Sequence, residues 1–318
     1  MGIFKSIRRV RRLLFLLLFL VAASVGYYFL PDSFHAPLKE WSPKWDYRLK
    51  KRGFALAQGI DSLGLWGRDC RVELDRKDLA GTYAYAGFPR SKKRLKILKN
   101  QGYVVGYSEK LRDPIWVAYR VFDVKKLESG KRPSRFRVDS RTRSKVSHDD
   151  YTGSGFDRGH MAPNYAIATR FGTEGQRETF LMSNIIPQTP KVNQQIWREL
   201  EMWVAKRYGR YLEEVWVVTG PIFTPPIRRL SSGVAIPSAY YKIIVDEKDG
   251  GVRALAFLIK ADCSPLTRLK TRLVSIDEIE KDTGLDFFPE MSSVEQQALE
   301  ATPAKRLWPW LGEALRNH

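Results

Sequence analysis

Apolar positions along this chain fall into two regimes. Residues 13–30 (LLFLLLFLVAASVGYYFL) are apolar and uncharged, a run just long enough to span a bilayer as one helix. Further along, apolar residues come in short strand-like stretches and helical stripes. Residues 103–108 and 114–122, rich in Val, Tyr and Trp, predict a β-hairpin with its turn near Arg112-Asp113-Pro114. Segments 214–220, 239–246 and 252–260 extend an antiparallel sheet. Ile196, Leu200, Trp203 and Val204 recur at helical spacing and predict a helix from Asn193 to Tyr208 with an apolar stripe facing a core. Ser275 to Thr283 predicts another helix, with Asp277 and Glu278 in the first turn where the helix dipole favours anions. Residues 31–75 mix prolines, charges and tryptophans and read as a linker or stalk, with local helix over Trp45 to Leu65. Residues 293–318 read as a helical tail in which Trp308-Pro309-Trp310 has no assigned role. There is no internal repeat and no low-complexity block, so the pattern is that of an α+β protein.

What precedes the apolar run sets an orientation. Lys5, Arg8, Arg9, Arg11 and Arg12 lie in residues 1–12, and positive flanks stay in the cytoplasm. Residues 13–30 then act as a transmembrane or signal anchor, with the rest of the chain on the other side, periplasm or exterior in a bacterium. The alternative is a cleaved signal peptide and a secreted protein, with an h-region at Leu13 to Val21 and small residues at Ala22, Ala23 and Ser24. Tyr27-Tyr28-Phe29-Leu30 prolongs the apolar run past that cleavage region and favours the anchor. The two cysteines, Cys70 and Cys263, can pair in an exported domain or stay as buried thiols; neither has metal-ligand spacing.

The chemistry concentrates in one stretch. Asp157-Arg158-Gly159-His160 is followed by Asn184, Asn193 and Glu201. A histidine supplies a general base, an arginine a bidentate phosphate contact, and neutral and anionic oxygens suit a hard divalent cation. These are the parts of a phosphodiester hydrolase that uses one metal ion. Read singly, each residue has a plainer role. His160 would be a satisfied core histidine, Asn193 a helix cap, Glu201 a solvated helix-face charge, Arg158 a partner for Asp157, and Asn184 a brace within a loop. The ordered set is what favours catalysis. Asn193 and Glu201 are eight positions apart, a rise of roughly 12 Å on a regular helix. Both therefore cannot ligate one ion directly: either Asn193 precedes the regular helix or Glu201 works through a water.

The same stretch resembles a family. GSGFDRGHMAPNYAIATRFG (Gly153 to Gly172) and ETFLMSNIIPQTPKVNQQIWRELE (Glu178 to Glu201) are similar to the DNA/RNA non-specific endonucleases, ββα-metal or His-Me finger enzymes. GYVVGY (Gly102 to Tyr107), WVAYRV (Trp116 to Val121), VVTGPIF (Val217 to Phe223) and SIDEIEKDTGLDFFPEM (Ser275 to Met291) resemble its flanking segments, so the likeness covers residues 76–292 as one domain. The resemblance implies a central antiparallel sheet flanked by helices, with DRGH on a strand-like finger and Asn193 opening the helix of the ββα unit. It implies His160 as base, Arg158 on phosphate, and Asn184 in the catalytic group. It makes Asn193 the direct ligand of Mg²⁺, with Mn²⁺ or another divalent cation as substitutes, and Glu201 the holder of a bound water. It also implies a second phosphate-binding arginine upstream; within KRPSRFRVDSR (Lys131 to Arg141), Arg132 and Arg135 both fit. DNA and RNA as substrates, 5′-phosphate products and a homodimer follow from the likeness as well.

Charge bears on the substrate. Lys and Arg (54) outnumber Asp and Glu (35), giving a formal net charge of +19. Cationic side chains displace counterions from nucleic acid, and an anionic membrane attracts them equally. Clustering favours the polymer: Lys131 to Lys145 holds seven basic residues against one acid, and RSKKRLKILK (Arg90 to Lys99) is a second cluster. Phosphate contacts carry no base information, so low sequence specificity is expected. Two other functions remain in view: a non-catalytic nucleic-acid-binding or DNA-uptake protein, and a phosphodiesterase for small nucleotides. With the ordinary histidine pKa of about 6.5, His160 as base predicts activity rising from acid toward neutral or mildly alkaline pH, and a flat profile between pH 5 and 8 counts against it.

Overall fold

The structure is a computed structural model that describes residues 2–30, 32–62, 71–74, 79–124, 130–264 and 267–308. It divides into two compact units, one of Met1–Asp69 with Arg306–His318, the other of Cys70–Lys305. The sequence reading treated everything outside the membrane segment as one domain with appendages.

In the first unit α1 (Gly2–Phe29) is one continuous helix, apolar and long enough over Arg12–Phe29 to cross a membrane by length and composition. Within the expected linker or stalk lie two helices, α2 (Asp32–Trp41) and α3 (Pro43–Ser62). The local helix expected from Trp45 falls within α3, which packs on α1, whereas α2 is an addition. A side chain at Gly53 would run into Ser24 and Tyr28, so the helices cross there with backbones in contact. Tyr28 and Phe54 meet edge-on at 5.4 Å, and the Tyr27 hydroxyl donates to Asp46 at 2.8 Å.

The second unit is built on an antiparallel eight-stranded sheet. In chain order its elements are β1 (Val72–Glu73), β2 (Arg90–Ser91), β3 (Lys96–Asn100), β4 (Tyr103–Ser108), β5 (Asp113–Phe122), β6 (Asp157–His160), α4 (Asn164–Glu178) and β7 (Ile185–Gln188). There follow α5 (Arg198–Trp203), α6 (Gly209–Tyr211), β8 (Glu214–Ile222), β9 (Ala239–Lys248), β10 (Gly251–Lys260), β11 (Leu273–Val274), α7 (Ile276–Thr283), β12 (Leu285–Asp286) and α8 (Ser293–Glu300). The sheet runs β1-β10-β9-β8-β5-β4-β3, with β11 on β10; β6 pairs only β7, and β12 pairs β2. The five predicted strands lie within one or two residues of their expected ends. The β4–β5 turn falls at 109–112 and Arg112 closes it with φ 62°. The helix predicted at Ser275 starts as read, with the Ser275 hydroxyl capping the Glu278 amide at 3.1 Å and Gly284 ending it in the left-handed region. The expected helical tail is shorter: α8 stops at Glu300, residues 301–308 are irregular, and Pro309 and Trp310 lie outside the described residues.

Side-chain alternation along the strands makes two cores. Trp116, Ala118, Trp216, Val218, Tyr241, Ile243 and Val245 point to one face, where Ile276 and Ile279 of α7 and Leu299 of α8 close over them. Tyr119, Val121, Val217 and Lys242 therefore point to the other face, and all four are buried. The helical run from Val192 to Tyr211 covers that side. Gly209 lets its end approach the sheet, since a side chain there would run into Val121. Gly209→Ala is expected to cost about 1–3 kcal/mol of unfolding free energy through overpacking, measured by denaturant titration of the purified chain.

Candidate active site

The site forms where the two-stranded ribbon β6–β7 meets this helical run. Register pairs Asp157 with Gln188, Arg158 with Pro187, Gly159 with Ile186 and His160 with Ile185. Gly159 is required by close approach: any side chain would run into the Gln188 carboxamide, which is fully buried. The run that follows is not a plain α-helix. Val192–Trp197 is a π-helical segment, α5 is regular, and Val204–Tyr208 is π-helical again. Widened turns of this kind occur mostly at functional sites. Asn193 thus lies on the widened turns ahead of the regular helix α5.

Asn193 does not cap the helix. Its amide nitrogen donates to Asp157 Oδ2 at 2.9 Å, and the Gln194 amide donates to the same oxygen at 2.9 Å. With the nitrogen committed, the Asn193 Oδ1 is the atom left to face a ligand. Asp157 was not among the sequence candidates as a functional residue; only its place beside Arg158 pointed to it. Trp197 bridges the two halves of the site by directing its indole nitrogen to the His160 carbonyl at 3.4 Å.

His160 is buried between aromatic rings, with centroids 5.2 Å from Phe136 and 5.1 Å from Phe180. Its Nε2 is shut off from solvent without a hydrogen-bond partner. Burial, aided by the Arg132 charge, lowers its pKa from 6.5 to about 3. A base held this way takes up its proton below the ordinary histidine range, so the acid limb of the expected profile lies below pH 6.5.

Glu201 and Lys242 are the charged groups beneath. Glu201 Oε1 is enclosed without a partner, and burial raises its carboxyl to about 7 against the pull of Lys242, Trp197 and Arg132. Lys242 is fully buried, its Nζ 3.2 Å from the Tyr119 hydroxyl and 4.4 Å from the Trp197 ring centroid. Burial lowers it to about 8, while Glu201 supports its charge. Lys242 also escaped the sequence reading. A lysine inside the strand pattern of β9 was its only signal.

The arginines differ. Arg158 is anchored by the His148 carbonyl, to which Nε and Nη2 donate at 3.1 and 2.7 Å, and it lies over the Tyr151 ring at 5.8 Å. Arg135 is paired with Asp149 at 2.7 Å. Arg132 has no such carboxylate; it lies over the Phe180 ring at 5.4 Å, and its charge acts on both His160 and Glu201. Asn184 is fully buried, its Oδ1 accepts from the Ala162 amide at 2.8 Å, and its nitrogen donates to the Ala162 and Thr179 carbonyls at 3.0 Å each. Its amide is committed to backbone, so it braces the turn after β6.

A mixed α+β fold, an antiparallel sheet and a ribbon-and-helix site carrying an imidazole, an amide and a carboxylate define a class of metal-assisted hydrolase scaffold. The family model of the DNA/RNA non-specific endonucleases matches residues 80–293, and the chain belongs to that family. Among curated relatives, the mitochondrial nuclease EXOG of Danio rerio is 32% identical over 223 residues, 64% of this chain and 64% of that one. Mitochondrial endonuclease G of Homo sapiens is 30% identical over 214 residues, 62% of this chain and 70% of that one. A nuclease of Nostoc sp. is 32% identical over 217 residues, 64% and 77% of the two chains. The match thus spans about three fifths of the first EXOG relatives, 64% and 57% of their lengths. A solved complex of EndoG with EndoGI has a chain similar in structure, with TM-score 0.59 and 27% identity, over 65% of this chain and 90% of that one.

The His160 environment has a thermodynamic consequence. The folded pKa is depressed, so below pH 6.5 the unfolded chain takes up a proton that the folded chain refuses. The stability tied to His160 is whole above pH 6.5 and is lost as pH falls toward about 3, at about 1.4 kcal/mol per pH unit. Denaturant unfolding of wild type and His160→Gln between pH 7 and 4 is expected to show wild type losing more stability by that slope.

Proposed function

We propose that the chain is a metal-dependent endonuclease that hydrolyses phosphodiester bonds in DNA and RNA with little sequence specificity. The observation that carries this reading is the Asp157–Asn193 hydrogen bond, which turns an amide oxygen toward a ligand beside a buried, neutral histidine. The family supports the reaction class.

In this reading His160 removes a proton from the attacking water. Its Nε2 is closed off, so Nδ1 is the nitrogen that takes the proton. Burial lowers its basicity but leaves the base fully available at working pH. Arg158, held by the His148 carbonyl, and Arg132 bind the phosphate and offset charge that builds on it. The donor set fits a hard divalent cation: a free amide oxygen on Asn193 and an unpartnered carboxylate oxygen on Glu201. Mg²⁺ held directly by Asn193, with Glu201 reaching it through water, would neutralise charge on the phosphate and the leaving oxygen. Lys242 favours the ionised form of Glu201 that this role needs. The basic segment Lys131 to Lys145 supplies a sequence-independent hold on the polymer. Residues 13–30 anchor the protein in a membrane with the catalytic unit on the non-cytoplasmic side, as the preceding arginines favour.

The direct test incubates the full chain with supercoiled plasmid and with single-stranded RNA, with Mg²⁺ or EDTA. Cleavage of both substrates is expected, abolished by EDTA and lowered about 10²-fold or more by His160→Ala. Plasmid retarded in a gel but uncut would move the assignment to a binding protein. Neither binding nor cutting, with hydrolysis of a small nucleotide phosphodiester, would move it to a phosphodiesterase.

The two upstream arginines are separable in the same assay. Arg132→Ala is expected to lower kcat/KM for plasmid about 10-fold or more, whereas Arg135→Ala, which loses only an exposed pair with Asp149, changes it less than 3-fold. The reverse order would assign the phosphate contact to Arg135.

A further inference from the structure

Outside the catalytic site, one cluster of like charges has no compensation. Asp277 and Glu280 stand three residues apart on one side of α7, and Glu300 ends α8 beside them. One carboxylate oxygen from each lies within 4.8 Å of the others. Among the described residues no lysine or arginine forms an ion pair with any of the three, in a chain of net charge +19. Glu300 is only 5% exposed, and its Oε1 is enclosed with no hydrogen-bond partner. Glu280 is held in place by the Phe287 amide, which donates to its Oε1 at 2.7 Å. Bare carboxylates packed this way repel one another, and burying a carboxylate without a partner is costly. The charges nearest Glu300 are acidic: Glu280, Asp277 and Asp286.

We propose that Asp277, Glu280 and Glu300 form a structural Ca²⁺ site that ties α7 to the end of α8. Three hard oxygens whose separations fit the diameter of a shell of about 2.4 Å radius match Ca²⁺, which accepts six to eight oxygen ligands in flexible geometry. Asp277 is exposed, so water completes the shell on that side. The cation supplies the charge that the fold leaves out, and the buried Glu300 carboxylate gains a partner. α7 and α8 cover the face of the sheet opposite the catalytic groups, and the site shares no residue with them. Its effect is on stability and not on the chemical step.

The test uses the full chain in detergent, stripped with EDTA and then titrated with CaCl₂, with melting followed by fluorescence. At roughly 5 mM Ca²⁺ the wild-type Tm is expected to rise by about 3 °C. Asn193→Ala, which removes the proposed catalytic ligand, should show the same rise. Glu300→Gln should show no rise, and in EDTA should melt at or above the wild-type temperature because a buried repulsion is gone. Asp277→Asn, an exposed change that leaves packing intact, should halve the rise or more and serves if Glu300→Gln does not fold. No Ca²⁺-dependent rise in wild type would overturn the site. So would an undiminished rise in both Glu300→Gln and Asp277→Asn, or a rise abolished by Asn193→Ala alone, which would place the cation in the catalytic site.

Discussion

One carboxylate holds the catalytic arrangement together. Asp157 opens the ribbon strand that ends in His160, and its Oδ2 accepts from both Asn193 and Gln194 on the helical run. Two elements far apart in the chain are thereby locked in rotation as well as distance, because an amide held at its nitrogen has its oxygen direction fixed. Charge-assisted hydrogen bonds of this kind are stronger than neutral ones. The π-helical turn at Val192–Trp197 belongs to the same constraint. Wider turns rotate Asn193 away from the phase that a plain α-helix would give it, toward Asp157.

Around that link the protein uses burial to set protonation. The imidazole sits among Phe136 and Phe180, where burial lowers its pKa, while burial raises that of Glu201 against the pull of Lys242. The sheet supplies Lys242 because side chains alternate along β9: Tyr241 and Ile243 fill one core and Lys242 enters the other. A shift of one residue in register would exchange these faces and put the ammonium into the apolar cluster under α7.

Much of this was legible in the sequence. The strands of the main sheet were readable because each is short, β-branched and bounded by turn residues, and the Ser275 helix because its cap and terminal glycine are local signals. The order and spacing of His160, Arg158, Asn193 and Glu201 point to a site, and the fold brings the ribbon and the helical run that carry them together. What escaped depends on three-dimensional neighbours. Asn184 looks like a reactive amide until its three backbone hydrogen bonds are seen. What separates Arg132 from Arg135 is the Asp149 carboxylate paired with Arg135, which spacing alone does not reveal. The histidine pKa needed the rings around it, and α2 needed a helix to pack on. The Cys70 and Cys263 pairing stays with the sequence reading, since Cys70 lies outside the described residues.

The crossing of α1 and α3 at Gly53 bears on how the N-terminal helix meets a lipid layer. The stretch Leu13–Leu20, more than half exposed at every position, is eight residues long, about 12 Å of helix. A hydrocarbon core is about 30 Å thick. The last turns of α1 are the ones that Phe54 of α3 already covers, so the helix offers free apolar surface along its middle and shared surface at its end.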